Sequence, residues 1–458
     1  MNLKHIFILL VCVCCSCKKE FLEKKPDKAL LVPLTLSDFR KLLDNSESIM
    51  NFSPMLNVWG TDDIWVQDVS LTSMNPFEQR AYYWAKEIFD PGTSAVDWDN
   101  AYKRILYANV VLEGLEKISV TTGNQQEFNA IKGTALFTRA LAFYDVAQQF
   151  AAPYNSSSAA TLPGIPLRLS SDLNVSSNRG TLQGTYTQIL NDLGGALPLL
   201  PVTSGYLTRP TQTACLSLFA RLYLNMQDYP KASDYAAQAL AKNNALLDYN
   251  DLLPSDKSYK IPPALSGKNP EVIYYSVLNF SPSLTVFDIV LISPELYKSY
   301  AEYDLRKQLF FEQVDDAGYQ VFRGSYVGSY DIFSGLATDE MYLILAECLA
   351  RAGQIVPAMD KLNALLAKRY QKGHFMPLAA TDAEQVLQTI LTERRKELVY
   401  RNQRWSDLRR LNQDPRFTVT LHRTVKGIEY TLPPNDPKYT LPLPPAVIQN
   451  SNLNQNPR

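Results

Sequence analysis

The sequence predicts a mainly α-helical fold: a scaffold of helical repeats with an irregular, loop-rich lobe carrying a few short strands. Three observations predict it. Apolar residues recur at three- and four-residue steps through several long segments, the spacing of a buried helix face. One helix pair returns later in the chain in the same register. Between the helical segments lie long stretches rich in Pro, Ser, Tyr and Trp that have no helical period. At 458 residues, 46% hydrophobic and 20% charged, the chain has ordinary soluble-protein composition and can bury a large core. Its formal net charge of −1 argues against nucleic-acid binding, which usually needs a basic excess.

Residues 1–16 read as an export signal. Lys4 supplies the positive charge, and the apolar run from Ile6 to Cys15 is far shorter than the roughly 20 residues a spanning helix needs. Ser16 precedes Cys17, and Lys18, Lys19 and Glu20 then turn the chain polar. This is the pattern of a bacterial lipoprotein signal, in which Cys17 is acylated and becomes the new N-terminus. Acyl chains anchor because each buried CH₂ contributes about 0.8 kcal/mol. An ordinary secretory signal is the alternative. Residues 17–33 follow as anchor and tether, and 34–458 are expected to fold as one domain.

The scaffold is expected at about 99–149, 183–243 and 338–411. Tyr102, Ile105, Asn109, Leu112, Leu115 and Ile118 mark the first helix, and Ile131, Ala135, Phe143, Tyr144 and Ala147 the second. A third runs over about 183–197. Then comes a pair: Ala214, Cys215, Leu218, Phe219 and Leu222, a turn at Gln227-Asp228, and Ala232, Ala236, Ala239 and Leu240. Met341, Leu345, Ala346 and Leu349, a turn at Gly353-Gln354, and Ala358, Leu362 and Leu366 repeat it. Aligning Ala220 with Ala346 also aligns Ala232 with Ala358. Small residues at these points let helices approach closely, the logic of tetratricopeptide repeats of about 34 residues. One last long helix is expected over 383–411. The irregular lobe is expected at about 51–98, which holds four of the five Trp, and 244–335.

The C-terminal half carries a resemblance. Thr392-Glu393-Arg394-Arg395-Lys396-Glu397-Leu398 leads into Gln403-Arg404-Trp405-Ser406-Asp407-Leu408-Arg409-Arg410. This closely resembles the E-R-R-x-E-L and R-W-x-D-L-x-R signature of the SusD/RagB family. The helix around Ala346-Glu347-Cys348, the prolines at Leu441-Pro442-Leu443-Pro444, the Asn450 to Pro457 end and the Cys17-Lys18-Lys19-Glu20-Phe21-Leu22 start are similar too. Arg401-Asn402 and Ala446-Val447 depart locally from the family pattern. The resemblance implies an outer-membrane, cell-surface lipoprotein that caps a SusC-like TonB-dependent porin and captures glycans, or sometimes peptides, for import. It also implies ligand binding on the irregular lobe.

Sugar rings present C–H faces that stack on flat aromatic rings, while a few placed polar groups take the hydroxyls. Three clusters have that composition. Trp65 has Asp62, Asp63, Gln67 and Asp68 beside it. Tyr82, Tyr83 and Trp84 follow Gln79 and Arg80. Tyr319, Tyr326 and Tyr330 flank Arg323 in a stretch loosened by Gly318, Gly324 and Gly328. Trp98 opens a helix and is expected in the core.

The arginine-rich run from Glu393 to Arg410 is expected to be a structural salt-bridge network around Trp405, with Glu397 and Arg401 paired at i, i+4. His374 and His422 lack partners in a recognisable motif, and no nucleophile elbow, Walker loop or zinc-protease motif occurs. Adjacent Asp pairs, Asp62/Asp63 and Asp315/Asp316, read as solvated turns or weak Ca²⁺ ligands; no other cofactor is expected. Cys215 and Cys348 read as small buried hydrophobes. Non-catalytic binding is therefore expected, with a protein-binding tetratricopeptide scaffold as the rival reading and a glycoside hydrolase disfavoured.

Overall fold

The two matched pairs form helix hairpins in the computed structural model, which describes residues 33–93, 95–380 and 382–458. The signal, Cys17 and nearly all of the tether lie outside the described residues. The longer helices are α1 (Leu36–Leu43), α2 (Val96–Leu115), α3 (Gln125–Phe150), α4 (Leu182–Ala196), α5 (Gln212–Asn225), α6 (Tyr229–Lys242), α7 (Thr338–Arg351), α8 (Ile355–Leu366), α9 (Ala383–Glu397) and α10 (Arg404–Leu411). From α2 to α8 each helix packs on the next, and α9 packs on α7 and α8. The protein is mainly α-helical, on a tetratricopeptide-type scaffold.

Local chemistry explains the hairpins. The Thr211 side chain accepts from Ala214 N to cap α5, and Asp228 accepts from Lys231 N to cap α6. Gln227 turns the chain at φ 61°, and Gly353 does the same at φ 74° between α7 and α8. Ala220, Ala232, Ala346 and Ala358 are all fully buried, where small side chains permit close helix approach.

The expected helix over 383–411 is two helices. Residues 398–403 break it, with Tyr400 and Asn402 both at φ 60°, in the left-handed region. Tertiary contacts hold this turn. The Tyr400 ring stacks on Phe322 at 4.7 Å, and Asn402 Nδ2 donates to the Pro54 carbonyl at 3.1 Å.

The lobe is built from two-stranded ribbons. They are β1 (Phe52–Ser53) with β4 (Val277–Leu278), β2 (Ile64–Val66) with β5 (Val290–Ile292), β3 (Val272–Tyr274) with β8 (Leu336–Ala337), β6 (Phe311–Gln313) with β7 (Gln320–Phe322), and β9 (Leu421–Val425) with β10 (Ile428–Leu432). Only β1–β4 is parallel. The β1–β4 and β2–β5 pairings stitch the 51–98 stretch to the 244–335 stretch. Asp97, at the start of α2, ties this lobe to the scaffold. Its buried carboxylate accepts from Met55 N, Leu56 N, Asn279 Nδ2 and Gln149 Nε2.

Candidate functional site

In β2, Ile64 and Val66 are buried and Trp65 between them is half-exposed. Alternation puts Trp65 and Gln67 on one face. Trp65 pairs directly with Leu291 of β5, and β5 lies against β7. The β6–β7 hairpin then brings Tyr319, at its turn, over the indole: the ring centroids are 4.9 Å apart at 46°. Gly318 supplies φ 84° in that turn, and Tyr319 N donates to Asp315 Oδ1 at 3.0 Å.

Beside this pair runs a groove of about 470 Å³, lined by Gln67, Ser70, Asp288, Leu291, Glu312, Gln313, Val314, Asp315 and Arg323 among others. Arg323 is the cation of this lining. Its Nε donates to Glu312 Oε2 and its Nη2 to Asp288 Oδ2, each at 2.7 Å. Burial works against the guanidinium, but these two bonds outweigh it and hold its pKa above the usual arginine value. Burial also opposes the Glu312 carboxylate, and the Ser258 and Arg323 bonds prevail, holding it below the usual range.

A second aromatic patch adjoins the first through these residues. Tyr330 is 49% exposed, with its ring edge-on to Phe280 at 6.4 Å; Phe280 is 55% and Phe287 54% exposed. Tyr330 and Tyr259 line a smaller recess that shares Asp288 and Arg323 with the groove. Phe280, Phe287, Tyr259 and Asp288 were not among the sequence candidates. Two Phe within a Ser- and Pro-containing turn were the available signal.

Three sequence candidates are internal, which corrects their reading as ligand platforms. Trp84 is 3% exposed, and its Nε1 donates to the Gly60 carbonyl at 2.9 Å. The Tyr82 hydroxyl accepts from Val66 N at 3.0 Å, so this ring holds the strand that presents Trp65. The Arg423 guanidinium lies over both rings, at 3.9 Å from Tyr82 and 4.6 Å from Trp84. Tyr326 is 2% exposed, with its hydroxyl 2.6 Å from Glu271 and 3.0 Å from Asp339. Tyr83 is half-buried against Tyr430, and Arg80 is a bidentate partner of Asp90 at 2.6 Å. The three-tyrosine cluster around Arg323 is thus divided: Tyr319 on Trp65, Tyr330 on Phe280, Tyr326 inside.

The arginine-rich run is a buried network. Arg404 grips Asp62 at 2.7 and 2.8 Å, Arg395 bonds Asp63 at 2.8 Å, and Arg394 bonds Asp407 at 2.9 Å. Arg410 grips Glu347 at 2.6 and 2.8 Å, and Trp405 is buried among these pairs. Asp62 and Asp63 are therefore neither a solvated turn nor ligands of a sugar on Trp65. Glu397 does not pair with Arg401, because the helix ends between them. Glu397 bonds Arg369 at 2.7 Å and Arg306 at 3.0 Å, while Arg401 bonds Asp339 at 2.9 Å.

His374 stacks on Tyr303, and His422 lies 3.7 Å from Glu429 on the exposed β9–β10 ribbon. Cys215 and Cys348 are buried, which pushes both thiols above their ordinary range. Among the described residues, no three His, Cys, Asp or Glu side chains are arranged to hold a metal, and no helix is long and apolar enough to cross a membrane.

Fold and site together define a helical-repeat protein with an aromatic platform and a polar groove on its irregular lobe. Two family models match the chain, and together they cover more than half of it. One, described as starch-binding and associating with the outer membrane, matches residues 20–224; the other, described as the SusD family, matches residues 338–458. The chain belongs to the SusD/RagB family. It is 22% identical over 431 residues to SusD-like protein P2 of Formosa agariphila, covering 80% of this chain and 81% of that one. A SusD superfamily structure from Bacteroides vulgatus superposes with TM-score 0.74 at 20% identity, over 92% of this chain and 99% of the other. Surface glycan-binding protein A of Bacteroides uniformis superposes with TM-score 0.71 at 16% identity, over 92% and 99%.

Proposed function

We propose that this protein captures glycans at the cell surface and passes them to a SusC-like TonB-dependent porin, held at the outer membrane by an acylated Cys17. The observation that carries the reading is the Trp65–Tyr319 pair beside a polar groove. A half-exposed tilted ring pair offers apolar faces to sugar C–H groups, and Gln67, Gln313, Asp288 and Asp315 offer donors and acceptors to hydroxyls. The Tyr330–Phe280 patch adjoins the groove through the recess that shares Asp288 and Arg323 with it. Family membership supports the reading, as does the name of the Bacteroides uniformis structure. Binding is reversible and without turnover, since the buried carboxylates are committed to arginines or, at Asp97 and Glu78, to backbone, amide and hydroxyl donors, and neither histidine belongs to a catalytic arrangement.

The test is a glycan-array screen followed by calorimetry on the best ligand, with wild type, Trp65→Ala and Tyr319→Ala. Saturable binding that both substitutions weaken, with intact ligand recovered, is the expected result. Shortened products would make the protein a hydrolase. Undiminished binding by both variants would move the site elsewhere.

A further inference from the structure

The groove beside Trp65 and Tyr319 has an uneven charge. Asp288, Glu312 and Asp315 line it against one cation, Arg323. That cation is already spent on the protein itself. Its Nε serves Glu312, its Nη2 serves Asp288, and its Nη1 lies 3.4 Å from the Phe322 carbonyl. Lys260 reaches Glu312 only from outside the groove, with its Nζ bound to the Gln308 carbonyl at 2.8 Å. Recognition of a carboxylate or sulfate calls for an arginine fork or ammonium facing the ligand. Here the lining presents carboxylates instead.

We infer that this site takes uncharged glycans and rejects chains bearing uronate or sulfate groups at the sugars seated on Trp65 and Tyr319. The inference rests on the glycan-capture reading above. A neutral sugar meets no penalty. Its hydroxyls donate to Asp288 and Asp315, whose ionised oxygens accept only, and the Gln67 and Gln313 amides both donate and accept. An anionic sugar in contact with this lining instead brings a like charge closer to the carboxylates than the screening length, about 8 Å at physiological salt, so salt relieves the repulsion only in part. It also finds no guanidinium free to compensate.

The experiment uses the mature protein and an array holding neutral oligosaccharides beside their uronate- and sulfate-bearing counterparts. The neutral ligand bound best is then compared by calorimetry with its own oxidised, uronate-containing form, in 50 mM and 500 mM salt. The neutral form is expected to bind at least tenfold more tightly at low salt, with affinity insensitive to salt, and the gap is expected to narrow at high salt. Asp315→Asn, on the exposed turn, and Asp288→Asn are each expected to narrow it further. An acidic form that binds as well as the neutral one, or better, overturns the inference while leaving glycan capture standing. Failure of every glycan to bind removes the capture reading and this inference with it.

Discussion

The Trp65 indole and the Tyr319 phenol ring meet at 4.9 Å, although they come from opposite ends of the lobe's two sequence stretches. The β2–β5 ribbon and the β6–β7 hairpin bring them together, and buried neighbours pin both β2, which carries Trp65, and β7, which follows Tyr319. The platform is therefore set in place before any ligand arrives, which reduces the ordering cost of binding. Trp65→Ala should weaken glycan binding at least tenfold, about 1.4 kcal/mol, while leaving the thermal midpoint nearly unchanged. Trp84→Ala should do the reverse. It opens a cavity between Gly60, Arg423 and Trp405, and a loss of about 3–5 kcal/mol of stability is expected by urea titration.

Tyr330 lines a recess that shares Asp288 and Arg323 with the groove beside that platform, and Phe280 packs edge-on against Tyr330. A short ligand on Trp65 does not need them. Phe280→Ala should leave the affinity for a disaccharide unchanged and lower that for a hexasaccharide several-fold. An equal loss for both lengths would place Phe280 at the primary platform, and no loss for either would remove the patch from the ligand path.

How far these residues were legible depends on what each sequence signal reports. Helical period reports burial of a face, and it located α2 to α8. The alignment of Ala220 with Ala346 reports close helix approach, and it identified the repeat. The break at residues 398–403 left no such trace. It contains neither Gly nor Pro, and its left-handed Tyr400 and Asn402 are held by Phe322 and Pro54, distant in sequence. The aromatic clusters were legible as composition but not as exposure. Trp65 and Trp84 have similar polar neighbours in sequence; only tertiary packing leaves one at the surface and seals the other under Arg423.

Glu397 shows the energetic side of the same point. Its carboxylate lies between Arg306 and Arg369, with all three side chains fully buried. Removing it takes one carboxylate from each of two cations held out of water, leaving Arg306 with Asp304 and Glu393 and Arg369 with Glu271. Glu397→Ala should cost about 3–5 kcal/mol or prevent folding, by the same urea titration. A double-mutant cycle with the milder Glu397→Gln should give a coupling energy with Arg369→Met and none beyond error with Arg401→Met. Coupling to Arg401 would restore the helical ion pair that sequence spacing suggests.

Glu347 makes the framework sensitive to acid. Burial opposes its ionisation, but Arg410 at 2.6 Å and Arg351 at 2.9 Å prevail and pull its pKa down to about 2, from 4.5. A carboxyl whose pKa is lower folded than unfolded adds stability that is complete above the unfolded value. That stability drains away as pH falls towards the folded value. The loss should therefore begin near pH 4.5 and finish near pH 2, amounting to roughly 3 kcal/mol at about 1.4 kcal/mol per pKa unit. Asp62, held below its ordinary value by Arg404 and Arg395 against its own burial, adds to the slope in the same direction. Urea midpoints measured from pH 7 to pH 3 should hold down to about pH 5 in the wild type and fall below it. Glu347→Gln should start lower at pH 7 and fall less steeply, because the variant has no proton to take up at that position. Parallel slopes in the two proteins would show that Glu347 is not the group whose protonation loosens the scaffold.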